Sequence, residues 1–176
     1  ETASTLSIAD LPDVFTLETV VRIDPDKNTR LSGMYRSADG YFTQCEAQGF
    51  RRITYFLDRP DVLATYTVRI EADKADAPVL LSNGNPTANG EGWAEWTDPW
   101  PKPAYLFALV AGDLRCHAGE HETRSGRRVG LEIWVEPDNI DRCAHALRAM
   151  QLAMRWDEEA FGREYDLDVY MIVAVK

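Results

Sequence analysis

Two histidine patterns contain the residue types of a zinc site. His117-Ala118-Gly119-Glu120-His121 matches H-x-x-E-H, in which two imidazoles hold the metal and a glutamate acts on its bound water. That chemistry needs both histidines on one helical face. Here Gly119 lies between them, and the flanks read as strand before and turn after. His121-Glu122-Thr123-Arg124-Ser125 begins as H-E-x-x-H but has Ser125 where the second histidine belongs, and the remaining histidine is His145. One imidazole does not close a tetrahedral site, so no metal ligand is assigned. No G-x-S-x-G elbow or glycine-rich phosphate loop is present, and no catalytic residue is assigned either. Thr43-Gln44-Cys45-Glu46-Ala47 is more informative, because it places a carboxamide and a carboxylate two residues apart, just before Gly49-Phe50-Arg51-Arg52. Glu46 has the chemistry to pair with a substrate ammonium, and Gln44 to bond a peptide carbonyl or amide. The same residues also suit a glutamate that caps a short helix and pairs with Arg51 or Arg52. Trp93, Trp96 and Trp100 suit either an aromatic platform for peptide or sugar, or ordinary strand packing.

These side chains need elements to hold them, and the first three quarters of the sequence predict strands. Residues 14–23 (VFTLETVVRI) are rich in β-branched side chains and end at Asp24-Pro25-Asp26. Residues 31–42 are broken by the turn Ser37-Ala38-Asp39-Gly40. Residues 64–72 alternate with period two, and residues 79–82 run into the turn Asn83-Gly84-Asn85-Pro86. Residues 93–96 alternate before Pro99, Pro101 and Pro103. Residues 105–111 are apolar on both faces, as in a central strand, and residues 129–135 follow the turn at Ser125-Gly126. A helix is then predicted from Asp138 or Asn139 to Phe161, with Cys143, Leu147, Met150 and Met154 on one face and Gly162 as its stop. Residues 166–175 predict a last strand, buried towards its end. The fold class is mainly β, α+β overall: a β-sandwich followed by a strand-helix-strand unit.

Composition limits the partners. The chain has 176 residues, 45% of them hydrophobic, enough for one domain or for one small domain and part of another. Its net charge is −10, so it gains nothing from the counterion release that drives nucleic-acid binding, and an anionic membrane surface repels it. Peptides, proteins and small molecules remain. Cys45, Cys116 and Cys143 form an odd set without paired spacing, which predicts a reducing cytoplasm rather than a disulfide framework. The longest apolar runs, 105–111 and 169–175, are too short to cross a bilayer, and no signal peptide is visible. The first residue is Glu1 rather than Met, as expected of an excised piece.

Residues 33–64, GMYRSADGYFTQCEAQGFRRITYFLDRPDVLA, carry a strong resemblance to the aminopeptidase N family of thermolysin-like zinc aminopeptidases, most of all its bacterial branch. The likeness continues through LLSNGNP (80–86), DPWPKPAYLFALVAGDL (98–114), TRSGR (123–127) and MRWDEEAFGREYDLDVYMIVAV (154–175), and so covers the chain from about residue 14 onward. It implies an amino-terminal β domain, residues 1–122, followed by the first strand-helix-strand of a thermolysin-like catalytic domain, residues 123–176. It also implies that the G-A-M-E-N exopeptidase motif and the zinc motif H-E-x-x-H come later than Val175; Lys176 departs from the acidic or small polar residue expected there. By the same resemblance Glu46 binds the free α-ammonium of a peptide, Gln44 lines the first subsite, and the Glu46–Ala47 peptide bond is cis. Zinc is the cofactor of the full-length enzyme, where it polarises the scissile carbonyl and a bound water while a glutamate acts as general base. The expectation for this chain is an amino-terminal portion, inactive alone and holding no zinc, whose partners are peptide substrates and the other domains of a parent enzyme. The residues alone leave two alternatives: a non-catalytic β-sandwich module that binds peptide or carbohydrate through its tryptophans, and an independent zinc site on His117 and His121.

Overall fold

The computed structural model describes residues 5–38 and 40–175. In chain order its strands are β1 (Gly33–Ser37), β2 (Gly40–Gln44), β3 (Ala64–Glu71), β4 (Val79–Ser82), β5 (Asn85–Gly90), β6 (Trp93–Lys102), β7 (Leu109–Gly112), β8 (Arg115–Glu122), β9 (Arg128–Val135) and β10 (Val169–Ala174). Helix α1 (Ala144–Phe161) lies between β9 and β10. The strands form three sheets, in the orders β1-β2-β7-β4, β3-β6-β5 and β10-β9-β8. The first two are antiparallel throughout. In the third, β8 is antiparallel to β9 while β10 returns parallel to it, so β9-α1-β10 is the expected strand-helix-strand unit.

Side-chain alternation explains how the layers close. Along β9, Val129, Leu131, Ile133 and Val135 turn to one face and are buried against Cys143, Met150 and Met154 of the helical segment. On the other face Trp134 of β9 joins Val169, Met171 and Val173 of β10 against Ile70, Leu80, Leu81, Trp96 and Ala111 of the other two sheets. The third sheet is therefore the middle layer between helix and sandwich.

The mainly β class holds, and several finer expectations are corrected. Residues 14–23 form no strand: β propensity needs a neighbouring ladder, and Val14 and Val20 stay 89% and 92% exposed. Residues 83–86 do turn, with Gly84 at φ 89°, but the chain enters β5 within that turn. β6 runs on through Pro99 and Pro101, because its pairing with β3 skips from Tyr66↔Asp98 to Ala64↔Lys102 and the prolines fall in the bulge, outside the ladder. Residues 105–111 split into a 3-10 turn (Ala104–Leu106) and the short central strand β7. β8, which no periodicity announced, forms the edge beside β9. Helix α1 begins at Ala144 rather than at 139, since Pro137–Arg142 is a 3-10 lead-in and the Asn139 side chain donates to Glu136 Oε2 instead of capping. β10 is an edge strand whose last residue, Ala174, is exposed, not a strand buried towards its end. Of the turn expected at 37–40, Asp39 lies outside the described residues, as does Lys176.

Candidate functional site

The β2 strand leaves its sheet through one side chain. Its ladder with β7 covers Tyr41↔Ala111 and Phe42↔Val110. The next position is taken by Thr43, whose Oγ1 accepts from Leu109 N at 2.8 Å and donates to Leu109 O at 3.4 Å. From there the chain peels away with strand-like alternation: Gln44 and Glu46 are exposed, whereas Cys45 between them is 2% exposed. The Glu46–Ala47 peptide bond is cis, as the resemblance implied. Gln44 Nε2 donates to the Glu46 carbonyl at 3.4 Å. Gly49 N donates back to Cys45 O at 2.7 Å, and a Cβ on Gly49 would run into the Gln44 carbonyl oxygen. The loop is thus folded tightly on its own backbone.

Beneath it lies a small core of Cys45, Phe50 and Ala104, flanked by Ile53, Tyr66 and Phe107. The Phe50 ring meets Phe56 and Phe107 edge-on, with centroids 5.2 and 5.0 Å apart. Burial first, and the nearby Asp58 charge second, push the Cys45 thiol up to about 11. The Tyr66 hydroxyl is buried without a hydrogen-bond partner among the described residues, and burial raises its pKa.

The Glu46 carboxylate makes no hydrogen bond or ion pair among the described residues. The capping alternative is not what the chain adopts. The 3-10 turn Phe50–Arg52 is preceded by Gly49 with no side-chain cap, and Arg51 is engaged by Asp58 instead. Asp58 is a component that sequence reading missed. Its only signal is a charged residue directly after the apolar run Tyr55-Phe56-Leu57.

The remaining candidates do not converge on this loop. The H-x-x-E-H residues lie on β8, a strand, so the helical face that chemistry needs is not formed. His121 is buried with Nε2 2.8 Å from Glu158 Oε1, and the other Glu158 oxygen accepts from Arg124 N. Glu120 is exposed, towards Arg128. No three His, Cys, Asp or Glu among the described residues gather around a common point fit for a metal ion. Trp93, Trp96 and Trp100 do not form one platform: Trp96 is buried and donates to Leu80 O, Trp93 stacks under the Arg69 guanidinium at 3.9 Å, and only Trp100 is half exposed.

Comparison with known proteins bears on this arrangement. Residues 11–106 match the peptidase M1 N-terminal domain. Aminopeptidase N of Caulobacter vibrioides is 58% identical over 179 residues, covering 99% of this chain and 21% of that protein. The aminopeptidase N of Escherichia coli is 54% identical over 180 residues with the same coverage. Among solved structures, that of Legionella pneumophila aminopeptidase A in complex with aspartic acid superposes with a TM-score of 0.76 at 40% identity, covering 83% of this chain and 18% of that one. The chain thus spans about a fifth of the length of the curated relatives it matches. With more than half of its residues inside the matched domain, the chain belongs to the peptidase M1 family, in the stretch that family calls its N-terminal domain.

Proposed function

We propose that this chain is part of a zinc-dependent aminopeptidase and supplies the wall that recognises the substrate's amino terminus, with Glu46 binding the α-ammonium and Gln44 lining the first subsite. The observation that carries this reading is the exposed Glu46 carboxylate, held on a tight loop yet left without a partner among the described residues. An enzyme that removes one residue at a time must detect a chain end, and a carboxylate at fixed distance from the reacting carbonyl does so by charge-assisted hydrogen bonds. In this reading the zinc donors come from other domains of the parent, and the chain alone is inactive; no group of three candidate donors gathers among the described residues. The division into a β domain, 1–122, and the opening of a catalytic domain, 123–176, belongs to the same proposal, as do peptide substrates and a cytoplasmic setting.

The test compares the parent aminopeptidase with its Glu46→Gln variant and assays the chain by itself. Neutralising the carboxylate should lower kcat/KM for an aminoacyl anilide roughly 10- to 100-fold, the worth of a hydrogen bond to a charged group. An unchanged value would remove Glu46 from the site. The purified chain should release no anilide. A chelator-sensitive activity from it would overturn the division of labour.

A further inference from the structure

Asp58 is a buried carboxylate that the ammonium reading leaves unused. Its side chain is 3% exposed and, among the described residues, bonds to Arg51 alone. Oδ2 accepts from Arg51 N at 3.0 Å and from Arg51 Nε at 3.2 Å, while the Asp58 carbonyl accepts from Arg51 Nη2 at 2.7 Å. Backbone and guanidinium of Arg51 are therefore gripped at once. Arg51 sits in the 3-10 turn that Gly49 opens, with Arg52 N donating to Gly49 O at 3.0 Å. Gly49 in turn is bonded to Cys45 and packed on the Gln44 carbonyl. An unbroken path of short contacts leads from Asp58 to the backbone that carries Gln44 and Glu46. An apolar pair of similar volume would fill this space without the cost of burying a charge. What the charged pair adds is direction, because a fork of donors onto one carboxylate and one carbonyl admits a single orientation.

We propose that Asp58 is a positioning residue: through Arg51 and Gly49 it sets where the Glu46 carboxylate meets the substrate ammonium. The inference rests on the assignment of Glu46 as the ammonium partner. Asp58 itself touches no substrate.

The test uses the full-length parent enzyme and calorimetric binding of two probes, a phosphinic dipeptide with a free α-amine and its des-amino counterpart. The ratio of their Kd values measures recognition of the ammonium alone. Glu46→Gln should collapse that ratio. Asp58→Asn should lower it roughly tenfold, as a small displacement of a binding group does, and Arg51→Lys should lower it by less. A merely structural Asp58 would lower Tm and the fraction of active enzyme but leave the ratio of the folded fraction at its wild-type value. If Asp58→Asn does not fold, Arg51→Lys decides alone. A collapsed ratio in Glu46→Gln beside wild-type ratios in both other variants overturns the positioning role only. An intact ratio in Glu46→Gln overturns the ammonium reading and the positioning role together.

Discussion

Cys45 lies between two outward-facing polar residues, and its own side chain is in the core beneath them. Burial, followed by the charge of Asp58, raises its thiol from an ordinary 9.0 to about 11, and burial does the same to Cys116. A thiol whose folded pKa lies above its unfolded value contributes stability that is complete below about pH 9 and is lost as pH rises through about 11. The urea midpoint of the chain should accordingly fall between pH 9 and pH 11. Iodoacetamide should label Cys45 slowly in the native chain at pH 8 and rapidly once it is unfolded. Rapid native labelling, followed by mass spectrometry, would contradict the burial that tightens the loop. The polar interruption at Gln44 and Glu46 was legible in the sequence, but its use was not: the residue types suit a helix cap as well as a substrate contact, and only the family resemblance pointed to the second. Asp58 was not legible, since what makes it informative is its burial against Arg51, and burial of an acid is set by tertiary packing that no local pattern encodes.

The elements show the same division between local and distant causes. The helical face Cys143, Leu147, Met150 and Met154 was readable because period 3.6 leaves its mark on neighbours three and four apart, and it packs on β9 as that mark requires. β5 and the proline-bearing half of β6 were hidden, because their bulged registers depend on β3 and on each other. Residues 14–23 have the composition of a strand and no ladder among the described residues, a reminder that β propensity measures a fit to neighbours. The end of α1 is a case where one residue suffices. Gly162 sits at φ 64°, its N–H donates to Glu158 O at 3.1 Å, and a Cβ there would meet nothing within 4 Å. Gly162→Ala should therefore cost only the backbone conformation, about 1 kcal/mol. Urea unfolding of the variant checks this; no loss would mean that the left-handed cap is absent, and a loss of several kcal/mol would mean that the surroundings are tighter than this structure has them.

At the scale of the molecule, the proposed division at residue 122 meets the way the layers are shared. The turn between β8 and β9 falls there, so β8 belongs by sequence to the first part while pairing along its whole length with a strand of the second. The second part also closes the sandwich core, because Trp134, Val169, Met171 and Val173 cover Leu80, Leu81 and Trp96. Polar bonds reinforce the seam. Asn85 Nδ2 donates to Asp168 Oδ2 at 2.9 Å, Asp168 N donates to Asn85 Oδ1 at 2.8 Å, and Gln151 Nε2 of α1 donates to Glu120 O at 2.9 Å. Units joined by a common sheet and a common core lose both when either opens, which couples their unfolding. The chain should therefore unfold in one transition, followed in a variant with Trp134→Phe and Trp156→Phe, whose tryptophan fluorescence comes from β6 of the sandwich alone, while α1 reports through the helical circular dichroism signal. The two urea midpoints should coincide. Asn85→Ala, which removes the paired bonds to Asp168, should lower both together by about 1 kcal/mol of stability. A helical signal lost at distinctly lower urea than the tryptophan signal would show α1 and its sheet opening by themselves, and the seam would then be a contact between two independent units.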